Sequence, residues 1–70
     1  MNGYYETVAE LKTAIEQGIV DVRMLTGFVC KGELFIRAGK PVDLFVNYYG
    51  SSQACRDVCT LLGITDIEDV

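Results

Sequence analysis

The first clear pattern in the chain is an amphipathic repeat in TVAELKTAIEQGI, residues 7–19. Apolar residues at helical spacing predict one buried face of a helix, and they are Val8, Leu11, Ala14 and Ile15. Thr7, followed three residues later by Glu10, predicts a capping box at the start of this helix. Gly18 is expected to end the helix, and Ile19 to pack back against it in a Schellman motif.

A second helix is predicted in SSQACRDVCTLLGI, residues 51–64. Ser51 or Ser52 can cap its first turn, because a hydroxyl oxygen accepts a hydrogen bond from a free backbone N–H group. Gly63 is the natural left-handed residue at its end, and Ile64 is expected to pack back against the last turn. The two predicted helices therefore start and stop with the same kinds of residue.

Between the helices the apolar pattern changes to the alternation that is typical of strands. The first predicted strand contains Val20, Val22 and Met24 and continues into GFVC. Gly27 interrupts this run and predicts a bulge or a bend. Lys31 and Gly32 predict a two-residue hairpin turn. The second and third strands are predicted in ELFIRA, residues 33–38, and VDLFVNYY, residues 42–49.

The predicted fold class is a two-layer α+β domain with the order α-β-β-β-α. Short connections favour a three-stranded antiparallel meander with the second strand in the centre and both helices on one face. We expect residues 1–65 to form this single small domain. Residues 66–70 carry a dense negative charge, which predicts an acidic C-terminal tail that is solvated and dispensable for folding.

The two faces of the predicted sheet differ in composition. The aliphatic residues are expected to face the helices, and they are Leu34, Ile36, Val42, Leu44 and Val46. The other face is expected to meet water, although it carries aromatic residues. This face predicts an interaction surface made of Phe35, Arg37, Phe45, Asn47 and Tyr49. Aromatic side chains in such positions suggest that another molecule covers them.

Composition and charge narrow the choice of function. The chain has 70 residues, of which 50% are apolar, and a net charge of −4. This charge opposes binding to phosphate backbones, where lysine and arginine supply most of the affinity. No apolar run approaches the roughly 20 residues that span a bilayer, and MNGYYETVAELK does not resemble a signal peptide. We therefore expect a cytoplasmic protein that does not bind membranes. Three acidic residues near the C-terminus add a candidate surface for a basic partner: Asp66, Glu68 and Asp69.

The three cysteines are Cys30, Cys55 and Cys59. Residues four apart on a helix lie on one face, so Cys55 and Cys59 are expected to share the apolar face of the second helix and to pack in the core. A zinc site usually needs four ligands, and the chain has no histidine. A thiol-based metal or redox module therefore remains the less favoured alternative, and no cofactor is expected.

The sequence contains no pattern that is typical of a catalytic site. It has no histidine and no glycine-rich phosphate loop, and it offers no pairing of a nucleophile with a base. We expect a non-catalytic interaction module that acts as an adaptor or inhibitor, with a second copy of itself or another protein as its partner. The alternative is binding of a single-stranded nucleic acid by stacking, through Phe35, Phe45, Tyr49 and Arg37.

Overall fold

The computed structural model describes residues 5–39, 44 and 46–70. It is a small α+β domain with two helices and a three-stranded mixed sheet. A short 3₁₀ helix, Val22–Met24, precedes the first strand. The helices and strands in chain order are α1 (Val8–Glu16), β1 (Leu25–Cys30), β2 (Glu33–Ala38), α2 (Ser52–Leu62) and β3 (Asp66–Asp69).

The predicted helix starts are confirmed. The Thr7 hydroxyl accepts a hydrogen bond from the backbone N–H of Glu10 at 3.2 Å, before α1 begins at Val8. The Ser51 hydroxyl accepts from the backbone N–H of Ala54 at 3.1 Å and caps α2. Each hydroxyl satisfies one of the N–H groups that have no partner in the first turn of a helix.

Both helices end with the same backbone hydrogen bond, but the isoleucine that follows each final glycine is buried after α2 and exposed after α1. The Ile64 N–H donates to the carbonyl of Cys59 at 2.9 Å, and the Ile19 N–H donates to the carbonyl of Ala14 at 3.0 Å. Gly63 has φ +87°, and Ile64 is 1% exposed, as predicted. Ile19 is 58% exposed, so the prediction that its side chain packs back against α1 is wrong.

Strands β1 and β2 form the predicted antiparallel hairpin. Its two turn residues both lie in the left-handed region, with φ +50° at Lys31 and φ +80° at Gly32. Two consecutive residues of this kind are what a type I′ turn requires, and that turn matches the twist of the flanking strands. The register runs from Leu25 opposite Ala38 to Cys30 opposite Glu33.

The start of the first predicted strand differs from the prediction. Val22–Met24 forms the 3₁₀ helix because the Asp21 carboxylate accepts the backbone N–H of Arg23 at 3.0 Å and caps this turn. Gly27 causes no bulge, because it lies opposite Ile36 in an unbroken ladder. A small residue is needed at this position for a different reason, which is the close approach of α2 to the strand.

The sheet is mixed, with the order β2-β1-β3, and the predicted three-stranded antiparallel meander is not confirmed. Strand β1 lies in the centre, where the prediction put the second strand. Strand β3, Asp66–Asp69, runs parallel to β1, with Ile67 beside Gly27. The Val70 N–H donates to the carbonyl of Val29 at 3.0 Å. Residues 66–70, predicted as a solvated tail, thus contribute a strand to the sheet, and the partly buried Ile67 packs against the core.

The third predicted strand, residues 42–49, lies partly outside the described residues. Its described end runs beside β2 and forms an isolated bridge between Glu33 and Tyr49. The Leu34 N–H donates to the carbonyl of Tyr48 at 3.2 Å, and the Gly50 N–H donates to the carbonyl of Gly32 at 2.9 Å. This segment therefore extends the hydrogen bonding of β2 over a short distance at the start of that strand.

One apolar core lies between the helices and one face of the sheet. Helix α1 contributes Leu11, and α2 contributes Cys55, Cys59 and Leu62. These side chains meet the buried residues of the two strands, which are Leu25, Val29, Leu34 and Ile36. Leu44, Val46 and Ile64 complete the cluster. Within the described residues, no helix is long and apolar enough to cross a membrane.

Candidate interaction surface

The position of Gly27 identifies the two faces of the sheet. A Cβ atom at Gly27 would lie 2.6 Å from Sγ of Cys59 on α2, so this residue points toward the helices. Side chains alternate along a strand, and their neighbours point away from the helices. We call this second side the distal sheet face. Its residues on the three strands are Thr26, Phe28, Cys30, Glu33, Phe35, Arg37, Asp66 and Glu68.

An aromatic pair lies in the middle of the distal sheet face. Phe28 on β1 is directly opposite Phe35 on β2, and both side chains are partly buried. The guanidinium carbon of Arg37 lies 4.1 Å from the centroid of the Phe28 ring. A cation over an aromatic face is attracted by the negative charge density of the ring. Arg37 therefore places its charge above β1, although its own backbone belongs to β2.

Strand β3 brings carboxylates to the same face. Asp66 lies beside Thr26, and Glu68 lies beside Phe28. The Thr26 hydroxyl donates to Oδ2 of Asp66 at 3.0 Å, which fixes that carboxylate at the border between β1 and β3. Glu68 is exposed. The distal sheet face therefore has an acidic column along β3, next to the aromatic and basic groups.

The third predicted acidic residue points the other way. Asp69 lies beside Val29, whose side chain is in the core, and it forms an ion pair with Arg56 on α2. Because alternate residues of a strand face opposite sides, β3 separates Asp69 from Asp66 and Glu68. The three acidic residues thus do not form one continuous patch.

The remaining predicted site residues have different positions. Tyr49 is 65% exposed and forms its bridge with Glu33, so it extends the distal sheet face beyond β2. Asn47 is exposed, and its backbone N–H donates to the carbonyl of Glu6 at 3.3 Å. Phe45 lies outside the described residues. Within the described part of the predicted surface, Phe35 and Arg37 lie together on the distal sheet face.

Sequence reasoning did not assign Phe28 to this surface. An alternation that starts at Val20 crosses residues that form a 3₁₀ helix, and an interruption at Gly27 breaks the count before Phe28. Counting from Leu25 places Leu25, Gly27 and Val29 on the core face, where all three are buried. The same count places Phe28 on the distal sheet face, so the signal is present in the sequence once the start of β1 is known.

The cysteines differ in exposure. Cys55 and Cys59 are 0% exposed, as the prediction of core packing requires. Burial raises the pKa of the Cys55 thiol, and it raises the pKa of the Cys59 thiol from 9.0 to about 11. Cys30 is partly buried on the distal sheet face. Among the residues that the structure describes, no three His, Cys, Asp or Glu side chains lie close enough to hold a metal ion.

A separate apolar groove of about 280 Å³ lies where the segment after α1 meets the start of β1 and the end of β2. Its walls include the exposed side chains of Ile19 and Met24, together with Leu25, Ala38 and Leu44. Asp21 is the charged residue among the described residues that line it, and Arg23 donates two side-chain hydrogen bonds to that carboxylate. Hydrogen bonding from Arg23 also lowers the pKa of Asp21.

Comparison with known proteins finds no match, whether to a protein-family model, to a curated protein or to a solved structure. The function of the distal sheet face therefore has to be inferred from its own residues. On its three strands the face combines an aromatic pair, one arginine and three carboxylates, which belong to Glu33, Asp66 and Glu68.

Proposed function

We propose that the protein is a small non-catalytic interaction module, an adaptor or inhibitor that forms a homodimer through its distal sheet face. The observation that carries this proposal is the pairing of Phe28 with Phe35 on the side of the sheet away from the helices. Aromatic side chains contribute large apolar areas to interfaces. A second copy of the chain presents the same area, so one surface can serve both partners.

The composition of the face supports a protein partner. Protein interfaces combine an apolar centre with a polar rim, and they are enriched in aromatic residues and arginine. Phe28, with Arg37 directly above its ring, supplies the centre, and Phe35 extends the apolar area onto β2. Thr26 and Asp66 supply hydrogen-bonding groups at one border. Tyr49 extends the aromatic area on the opposite side.

Binding of a single-stranded nucleic acid through the same face is less well supported. Stacking on Phe35 and Tyr49 would bring phosphate groups near the distal sheet face, where Asp66 and Glu68 also lie. Carboxylates repel phosphates, and Arg37, the one cation on the described strands of this face, supplies little of the cationic surface that such binding uses. The ratio of absorbance at 260 and 280 nm in the purified protein separates these proposals, since we expect no bound nucleic acid.

A thiol-based function is also less well supported. The reactive form of cysteine is the thiolate, and burial raises the pKa of both Cys55 and Cys59. Their sulfur atoms are thus protonated at neutral pH and enclosed by apolar side chains. Both residues fit the role of small hydrophobic side chains in the core.

Neighbouring residues of β2 provide a matched experiment. Leu34 is 1% exposed in the core, and Phe35 is partly buried on the distal sheet face. We expect Phe35→Glu to keep its circular dichroism spectrum and to become monomeric by light scattering. Leu34→Glu is expected to unfold the chain, because it buries an unpaired charge. A Phe35→Glu variant that folds and remains dimeric would refute the proposed contact surface.

A further inference from the structure

Opposite charges on the distal sheet face lie one strand apart. The guanidinium group of Arg37 is above Phe28, and the residue beside Phe28 on β3 is Glu68. Neighbouring strands are separated by about 4.8 Å. The face therefore has a positive group over β1 and a negative group over β3, at the same level along the strands.

These charges have no ion-pair partner within the described residues. The two ion pairs found there join Arg23 to Asp21 and Arg56 to Asp69. Arg37 contacts the Phe28 ring, and Asp66 accepts the Thr26 hydroxyl. Neither contact neutralises a charge, so both signs remain available to a partner molecule.

Two ways of stacking a second copy on this face around a two-fold axis differ in the charges that they bring together. An axis that runs across the strands sets β3 against β3 and therefore brings Asp66 and Glu68 against the same carboxylates. Like charges in contact across an interface are costly. An axis that runs parallel to the strands between β1 and β3 sets β1 of one copy against β3 of the other. This second arrangement brings Arg37 of one copy over Glu68 of the other, and it leaves Phe35, on β2, at the border of the contact.

We propose that two copies pair face to face around an axis parallel to β1 and β3, with Arg37 of each copy beside Glu68 of the other. This inference rests on the proposed function, since it specifies how the homodimer is arranged. The two-fold axis repeats the contact, so one arginine and one glutamate supply two ion pairs. Arginine suits this position because its planar group can stack on Phe28 and still donate hydrogen bonds at its edge.

Charge reversal at each position, followed by mixing of the two variants, tests the arrangement. Arg37→Glu alone and Glu68→Arg alone each set like charges against each other twice. We expect each to raise the dimer dissociation constant in sedimentation equilibrium by about tenfold or more. An equimolar mixture of the two variants sets opposite charges against each other at both contacts, and a heterodimer close to wild-type affinity is expected.

Two controls accompany this experiment. Glu16→Arg makes the same charge change as Glu68→Arg at an exposed residue of α1, and we expect it to leave the dissociation constant unchanged. Circular dichroism reports whether each variant is folded. If Arg37→Glu is unfolded, Arg37→Gln removes the charge while keeping a polar side chain, and we expect it to weaken the dimer in the same direction.

The outcomes separate the arrangement from the proposed function itself. The proposed axis is wrong if the wild-type protein is a dimer and neither charge reversal weakens it. It is also wrong if mixing the two variants does not restore the affinity. In both cases the homodimer itself remains supported. A wild-type protein that stays monomeric at all concentrations would overturn both. The arrangement is supported if each charge reversal weakens the dimer and the mixture of the two variants regains close to wild-type affinity.

Discussion

Gly27 on β1 is in direct contact with Cys59 on α2. A Cβ atom at Gly27 would lie 2.6 Å from Sγ of Cys59, which is far closer than two such atoms can pack. The missing side chain of the strand is therefore what allows the helix to lie against the sheet. Because side chains alternate along a strand, Phe28, the residue after Gly27, points to the distal sheet face.

A double-mutant cycle tests this contact. Gly27→Ala places a methyl group against the sulfur atom and is expected to lower the free energy of unfolding by about 1–3 kcal/mol, as for other overpacked cores. Cys59→Ala removes the sulfur and is expected to cost about 1 kcal/mol. The double variant should cost less than the sum of the two, because each change relieves the other. Urea unfolding measures all four free energies, and additive effects would argue against the contact.

The buried thiol of Cys59 predicts how stability depends on pH. Burial raises its pKa from 9.0 to about 11, so the folded protein holds this proton more tightly than the unfolded chain does. The resulting stabilisation is complete below pH 9 and is lost as the pH rises to about 11. Tyrosine and lysine also titrate in this range, so the informative quantity is the difference between wild type and Cys59→Ala.

The midpoint of thermal unfolding, measured for both proteins between pH 7 and 11, provides that difference. Wild type should lose more stability than Cys59→Ala above pH 9. Parallel curves for the two proteins would show that the thiol does not contribute to the loss.

Both helices and the hairpin could be predicted because their signals are local. Thr7 and Glu10 identify one helix start, Ser51 identifies the other, and Lys31-Gly32 identifies the turn. Each of these residues acts on backbone groups close to it in the sequence, which is why a single sequence is sufficient to find them.

Strand β3 could not be predicted in this way. Its sequence, DIED, contains one apolar residue, Ile67, and three acidic ones. A short strand with this composition resembles a solvated tail, and its pairing with β1 depends on contacts distant in sequence. Acidic side chains also suit the edge of a sheet, because they discourage pairing with further strands. The position of the two carboxylates on the distal sheet face follows only from this pairing.

Because β3 pairs with β1, its removal is expected to destabilise the domain. Deletion of Asp66–Val70 removes the parallel ladder with β1, the partly buried Ile67 side chain and the Arg56–Asp69 ion pair. Loss of the apolar contact alone is worth about 1–2 kcal/mol. The melting temperature should fall by several degrees.

A charge-neutral variant is the control for this deletion. Asp66→Asn, Glu68→Gln and Asp69→Asn together keep Ile67 and the backbone of the strand, so most of the stability should remain. An unchanged melting temperature after the deletion would favour the solvated tail over the strand.

The proposed homodimer requires that the distal sheet face binds a second copy of this chain. Light scattering after size exclusion, over a dilution series of the wild-type protein, measures this most directly. We predict a mass of twice the 7.7 kDa chain at high concentration, with a return to the single-chain mass on dilution. A mass of 7.7 kDa at every concentration would contradict the claim.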